Sequence, residues 1–122
     1  MIKIWVDDER PMPEGYDWHT HSVLDCCYLL GCLEERSQWE RANATMEGKH
    51  IPRETVLLDL DHDASGEYSR FGGDYINILK WIAEREYELD LEIKVHFHSA
   101  NPVGVKNMRA IVENCPWMEE VK

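Results

Sequence analysis

Residues 55–63 read Thr55-Val56-Leu57-Leu58-Asp59-Leu60-Asp61-His62-Asp63, TVLLDLDHD, an apolar run that gives way to acids and a histidine. Val56, Leu57 and Leu58 have the composition of a buried strand in mid-sheet. The polar residues that follow have the chemistry of ligands, general acids or general bases. In parallel α/β sheets, ligands bind beyond the carboxyl ends of the strands. That rule gives the acids behind this strand a reason to be there, provided other strands end beside it in the same way.

Two of them do. Ile2 to Val6, IKIWV, is a second short run of β-formers, and it stops at Asp7-Asp8. Leu91 to Phe97, LEIKVHF, alternates like a strand, with Leu91, Ile93, Val95 and Phe97 on one side, and runs into His98-Ser99. Three polar clusters far apart in the chain are therefore expected to meet at one edge of a sheet.

The remaining segments supply the connections. Glu9 to Gly15, ERPMPEG, carries two prolines and a glycine and reads as a loop. Tyr16 to Thr20 reads as a short strand. Ser22 opens a helix with Val23, Cys26, Cys27 and Leu30 at helical spacing, and Asp25 stands where a capping box has its acid. The polar stretch 34–53 has Trp39, Ala42 and Met46 at helical intervals and reads as a surface helix, an insertion or a long loop. Gly72-Gly73-Asp74 leads into a helix with Tyr75, Ile78, Leu79, Ile82 and Ala83 on one face. Asn101-Pro102 starts another, Asn as N-cap and Pro in the first helical position, with Met108, Ile111, Val112 and Cys115 as its inner stripe. Trp117 to Val121 reads as a closing strand. Strands alternating with helices define an α/β class with a mostly parallel sheet, and 122 residues make one domain over 1–122.

Composition narrows the function. Acids outnumber bases 24 to 13, a formal charge of −11 that opposes broad nucleic-acid binding. No apolar run approaches the ~20 residues of a membrane helix. The start MIKIWVDD has no secretory leader, which makes the expected location cytoplasmic. Cys26, Cys27, Cys32 and Cys115 form no C-x-x-C pair and read as small core hydrophobes in a reducing compartment.

Carboxylates converging at a strand edge make an oxygen-rich site for a hard divalent cation, Mg²⁺ first and Mn²⁺ if a histidine joins. Taken singly, each aspartate would more readily be a turn or cap former. His98-Ser99-Ala100-Asn101-Pro102 joins a strand end to a helix N-terminus suited to phosphate, with Gly104 allowing close approach. Arg10 reads equally as a bidentate phosphate clamp or as the neutraliser of its acidic neighbours. His96 shares a strand face with His98 and reads as a hydrogen-bonded buried residue, while His19 and His21 read as surface or outer groups. Trp5, Trp81 and Trp117 read as core aromatics. Neither phosphate-loop nor dinucleotide nor nucleophile-elbow motifs occur.

The set D-D-x-R (Asp7, Asp8, Arg10), L-D-H-D (Leu60 to Asp63) and H-S-x-N-P-x-G (His98, Ser99, Asn101, Pro102, Gly104) resembles the cyclic-phosphate processing receiver-like domain. The resemblance covers most of the chain. It implies a single receiver-like (flavodoxin-like) domain, a three-layer sandwich around a mostly parallel sheet. It further implies processing of cyclic phosphates, such as 2′,3′-cyclic nucleotides or RNA ends. Carried over residue by residue, it makes Asp7, Asp8 and Asp61 metal ligands, with Asp63 either a further acid of that site or a catalytic group. His62 and His98 become acid–base candidates, and Arg10, Ser99, Asn101 and Gly104 phosphate contacts. Where the family pattern has Arg-Thr on the second strand, this chain has His19-Thr20.

The expected activity is a metal-dependent phosphoesterase on a cyclic phosphate. A receiver-type signalling domain, phosphorylated on Asp59 or Asp61, is the alternative, although the only lysine after the last strand is Lys122. A module that holds a phosphorylated ligand without turnover is the third.

Overall fold

The computed structural model of the chain describes residues 1–85 and 89–122. Five strands, β1 (Ile2–Val6), β2 (Trp18–Thr20), β3 (Glu54–Leu60), β4 (Leu91–Phe97) and β5 (Met118–Glu120), are joined through helices α1 (Val23–Met46), α2 (Ile76–Glu84) and α3 (Pro102–Glu113). A single turn of 3₁₀ helix, Gly66–Arg70, precedes α2. The sheet order is β2-β1-β3-β4-β5 and every pairing is parallel, so the sheet is wholly rather than mostly parallel. This is the receiver α/β fold. The chain leaves β1 toward one edge for β2 and crosses back to the other side for β3, and that reversal opens a crevice between the carboxyl ends of β1 and β3.

Register decides which side chains are buried. Ile4 pairs with Leu58, Val6 with Leu60, and Val56, Leu58 and Leu60 with Ile93, Val95 and Phe97. These inward residues share one core with Val23, Cys26, Leu30 and Leu33 of α1, Ile78, Leu79 and Ile82 of α2, and Met108 and Val112 of α3. Each fully buried aliphatic side chain there contributes about 1.5–3 kcal/mol. By alternation, Trp5, Leu57, Asp59, Lys94 and His96 point to the opposite face. There the loop 7–17, with no helix among the described residues, forms the cover: Tyr16 packs edge-on against Trp5, with ring centroids 5.4 Å apart. The Trp5 indole donates to Arg10 O at 3.2 Å.

The stretch 34–53 divides in two: residues 34–46 continue α1, and 47–53 lead to β3. Its polarity has a structural cause. Glu34 and Ser37 face inward, where Glu34 accepts from Arg85 Nη2 and Asp90 N, both at 2.7 Å. Gly72 is required by space and by backbone: its φ is +111°, and a Cβ there would stand 2.6 Å from Val23 Cβ at the start of α1. All four cysteines are free, with Cys26 and Cys115 buried. Burial pushes the Cys26 thiol well up and that of Cys27 up to about 11, which suits packing rather than reactivity. No helix among the described residues is long and apolar enough to cross a membrane.

Candidate functional site

At the crevice, β1 ends in Asp7, fully buried. Its Oδ1 accepts from the backbone N–H groups of Glu9 (2.8 Å) and Arg10 (2.9 Å), the short-range turn that aspartate favours. Burial alone would raise the Asp7 carboxyl. The two amides and His98 outweigh it and hold the group below the ordinary carboxylate range. Asp8 Oδ2 accepts from Ser65 N (2.8 Å) and Ser65 Oγ (2.6 Å), which ties the loop after β1 to the loop after β3. Asp61, hydrogen-bonded through its N–H to Val6 O at 3.0 Å, takes the His62 N–H on Oδ1 at 2.8 Å.

Asp7, Asp8 and Asp61 each bring a carboxylate oxygen within 4.8 Å of the others. Asp8 Oδ1 is buried with no hydrogen-bond partner. The neighbouring Tyr75 hydroxyl does not relieve it, because its one proton goes to His21 O at 2.8 Å. Burial, then the adjoining Asp8 carboxylate through its charge and direct contact, and then the charges of Asp7 and Asp61, push the Tyr75 phenol far up. A second trio, His62, Asp63 and Asp74, is equally close-set. Its members are already engaged: His62 Nδ1 lies 2.6 Å from Asp63 Oδ1, and Asp74 Oδ1 accepts from Ala64 N at 3.1 Å.

A cleft of about 330 Å³ lies beside the first trio, lined by Glu9, Arg10, Asp61, Asp63, Ser65, Ser99, Ala100 and Asn101. Arg10 reaches across its floor, donating from Nη1 to His98 O at 2.7 Å while 4.0 Å from Asp7 Oδ2. The guanidinium is thus both neutraliser and anchor, with its side chain still 45 % exposed. Asn101 caps α3 by accepting from Gly104 N at 2.9 Å, and its Nδ2 lies 3.4 Å from both Asp63 oxygens. Ser99 Oγ accepts from Asn101 N at 3.1 Å. The hydrogen bond from His62 is the main influence holding the Asp63 carboxyl below its ordinary range.

Gly104 serves a different purpose from the expected one. A Cβ at this position would fall 2.3 Å from His62 Cγ, so the missing side chain admits the histidine ring rather than a ligand. His98 also departs from expectation. It does not line the cleft: Nε2 lies 2.9 Å from Asp7 Oδ2, Nδ1 2.7 Å from Asp59 Oδ1, and Trp5 stacks on its ring at 3.8 Å. Asp59, 4 % exposed, takes further hydrogen bonds from the Tyr16 hydroxyl and from His96 Nδ1 at 2.9 Å. These donors, His98 first, overcome burial and keep the Asp59 carboxyl low. His96 is hydrogen-bonded as expected, but its side chain is 40 % exposed rather than buried, and His19 Nε2 contacts Asp7 O at 2.7 Å.

The structure therefore brings Asp7, Asp8, Arg10, Asp61, His62, Asp63, Ser99 and Asn101 to one place. Sequence reasoning passed over Ser65 and Tyr75 as neighbours of the acids, and read Asp59 only as one of the acids of its strand and an alternative phosphoacceptor. A signal for Asp59 existed: two residues before Asp61 on a strand, it shares that residue's face and pairs directly with Trp5 and His96. Ser65 and Tyr75 reach the acids through loop paths that no periodicity encodes.

A family model described as cyclic-phosphate processing receiver domain matches residues 2–114. No curated protein and no solved structure matches the chain.

Proposed function

The chain belongs to the cyclic-phosphate processing receiver domain family, and from that premise we propose that it hydrolyses a cyclic phosphate ester in the cleft beside Arg10. The cation would be Mg²⁺ or Mn²⁺, held by Asp7, Asp8 and Asp61. The observation that carries this reading is the buried, partnerless Asp8 Oδ1 inside a trio of converging carboxylates. Three acids this close repel one another: Arg10 is 4.0 Å from Asp7 and committed to His98 O, and His98 reaches Asp7 but neither of the other two. Among the described residues no basic side chain forms an ion pair with Asp8 or Asp61, and an all-oxygen donor set suits a hard divalent ion. When bound, such an ion polarises a phosphoryl oxygen and acidifies a bound water.

The chain's own groups account for the rest. Arg10 presents N–H donors to the non-bridging oxygens, with Ser99 and Asn101 at the far wall. His62 is the better acid–base candidate than His98, because both nitrogens of His98 are engaged within the fold. Asp63 orients His62 through Nδ1. Water adds to phosphorus and releases one proton to solvent, the ring P–O bond breaks, the departing sugar oxygen takes a proton from the His62 ring, and His62 regains a proton from solvent. Aspartyl phosphorylation has less support: Asp59 is enclosed by three donors, and Lys122 lies with His96, Arg109 and Glu120 at the β4–β5 edge.

The test is turnover of nucleoside 2′,3′-cyclic phosphates with Mg²⁺, with Mn²⁺ and with EDTA, for the wild type and Asp61→Asn. Ring opening that needs metal and is lost in the variant is the expected result. Full activity of Asp61→Asn, or turnover in EDTA, would refute the carboxylate–metal mechanism. Tight ligand binding without turnover would leave a holding module.

A further inference from the structure

We propose that Asp59 is a positioning residue: through His98 it fixes the orientation of Asp7 and so prepares that carboxylate to bind a divalent cation. The inference rests on the metal-site reading above and assigns a role to Asp59 and His98, polar groups enclosed behind Asp7.

Asp7 is steered at both oxygens. Oδ1 is set by the amides of Glu9 and Arg10, which belong to the backbone and follow from the turn. Oδ2 is set by His98 Nε2 alone at hydrogen-bond distance, so the plane of the carboxylate depends on where that ring stands. The ring stands where Asp59 Oδ1 holds its other nitrogen, at 2.7 Å, with Trp5 lying parallel to it at 6° between planes. Asp59 is held in turn by Tyr16 and His96. The sequence of contacts runs from a strand interior to the crevice without a water-exposed link: the His98 side chain is 10 % exposed and those of Asp59 and Asp7 5 % and 0 %.

Groups that hydrogen-bond a metal's ligands matter nearly as much as the ligands, because they fix the geometry before the ion arrives. Asp59 sits one residue further out, with a full charge-assisted contact to His98. Replacing it by Asn keeps the volume and removes the charge. One acceptor oxygen is then left for the two histidines, and the Tyr16 hydroxyl must turn from donor to acceptor to meet the amide N–H₂.

The experiment is calorimetric titration of the wild type, Asp59→Asn and Tyr16→Phe with MgCl₂ and with MnCl₂, beside circular dichroism and ¹⁵N-histidine NMR. The wild type is expected to bind, and Asp59→Asn to bind about 10–100-fold more weakly. Helical content should be unchanged, and the His98 ring N–H signals should be displaced in the variant. Metal added to the wild type should move the Nε2–H signal of His98 more than its Nδ1–H signal. A merely structural Asp59 would lower the melting temperature and leave both metal affinity and the metal-induced movement of the Nε2–H signal alone. Equal affinity of wild type and Asp59→Asn would overturn the positioning role and leave the metal site standing. A wild type that binds neither ion would overturn the metal site, and the positioning role with it. If Asp59→Asn does not fold, Tyr16→Phe decides: weaker Mn²⁺ binding supports the role, and unchanged binding overturns it.

Discussion

His62 and Gly104 are forty-two residues apart in the chain and share one small volume at the head of α3. An alanine at 104 would place its Cβ 2.3 Å from Cγ and 2.5 Å from Cδ2 of the ring, so the ring must leave. Gly104→Ala sets an overpacking penalty of about 1–3 kcal/mol against a helix-propensity gain of about 1 kcal/mol. We expect a net loss on the order of 1 kcal/mol in urea denaturation. Turnover should fall further, on the order of 10–100-fold, because His62 loses its bond to Asp63. Unchanged turnover would show that His62 takes no part in the reaction. At this scale the sequence spoke unevenly. Asp7, Asp8, Asp61, Asp63 and Arg10 were readable because each follows a strand that hydrophobicity makes obvious. The reason for Gly104 was not, since a close approach names neither of the groups that meet.

α3 illustrates what an element adds to its residues. Pro102 in the first turn and Asn101 before it were a legible helix start, and Asn101 does cap Gly104 N at 2.9 Å. The same side chain aims its amide nitrogen at Asp63 and lines the cleft. The two roles separate by substitution. Asn101→Ala should cost about 1 kcal/mol of stability and raise KM. Asn101→Ser, another good cap, should recover the stability and keep the raised KM if the amide touches phosphate. A KM restored together with stability would reduce Asn101 to a cap. α1 was harder to foresee beyond Leu33, because its inward positions there are Glu34 and Ser37, while Trp39 and Met46, the apolar residues at helical intervals, are exposed. The partners of those polar residues, Arg85 and Asp90 for Glu34 and the Glu54 N–H for Ser37, become neighbours only once the chain has folded. The same logic hid the 3₁₀ turn at Gly66–Arg70, which buries nothing.

Across the whole molecule, strand order turns separate motifs into one site. Alternating strands and helices made a parallel α/β sheet readable, but the order β2-β1-β3-β4-β5, and hence the crevice between β1 and β3, required the fold. Its charge distribution sets the pH range. Asp7 and Asp59 have folded pKa values below the ordinary carboxylate range, so their stabilisation is complete above that range and is lost as the pH falls from it through the lowered folded values. Tyr16 is raised by burial and by Asp59 to about 12, so its contribution is complete below about 10 and disappears as the pH climbs toward 12. Melting temperature against pH should therefore show a plateau with an acid limb below about 4 and an alkaline limb above about 10, and Tyr16→Phe should weaken the alkaline one. The central claim, that Asp7, Asp8 and Asp61 hold a divalent cation beside the cleft, is met most directly by anomalous diffraction from crystals grown with Mn²⁺. A single peak among those three carboxylates, absent in Asp61→Asn, is the predicted result. A peak at His62, Asp63 and Asp74 instead, or none at all, would contradict the account.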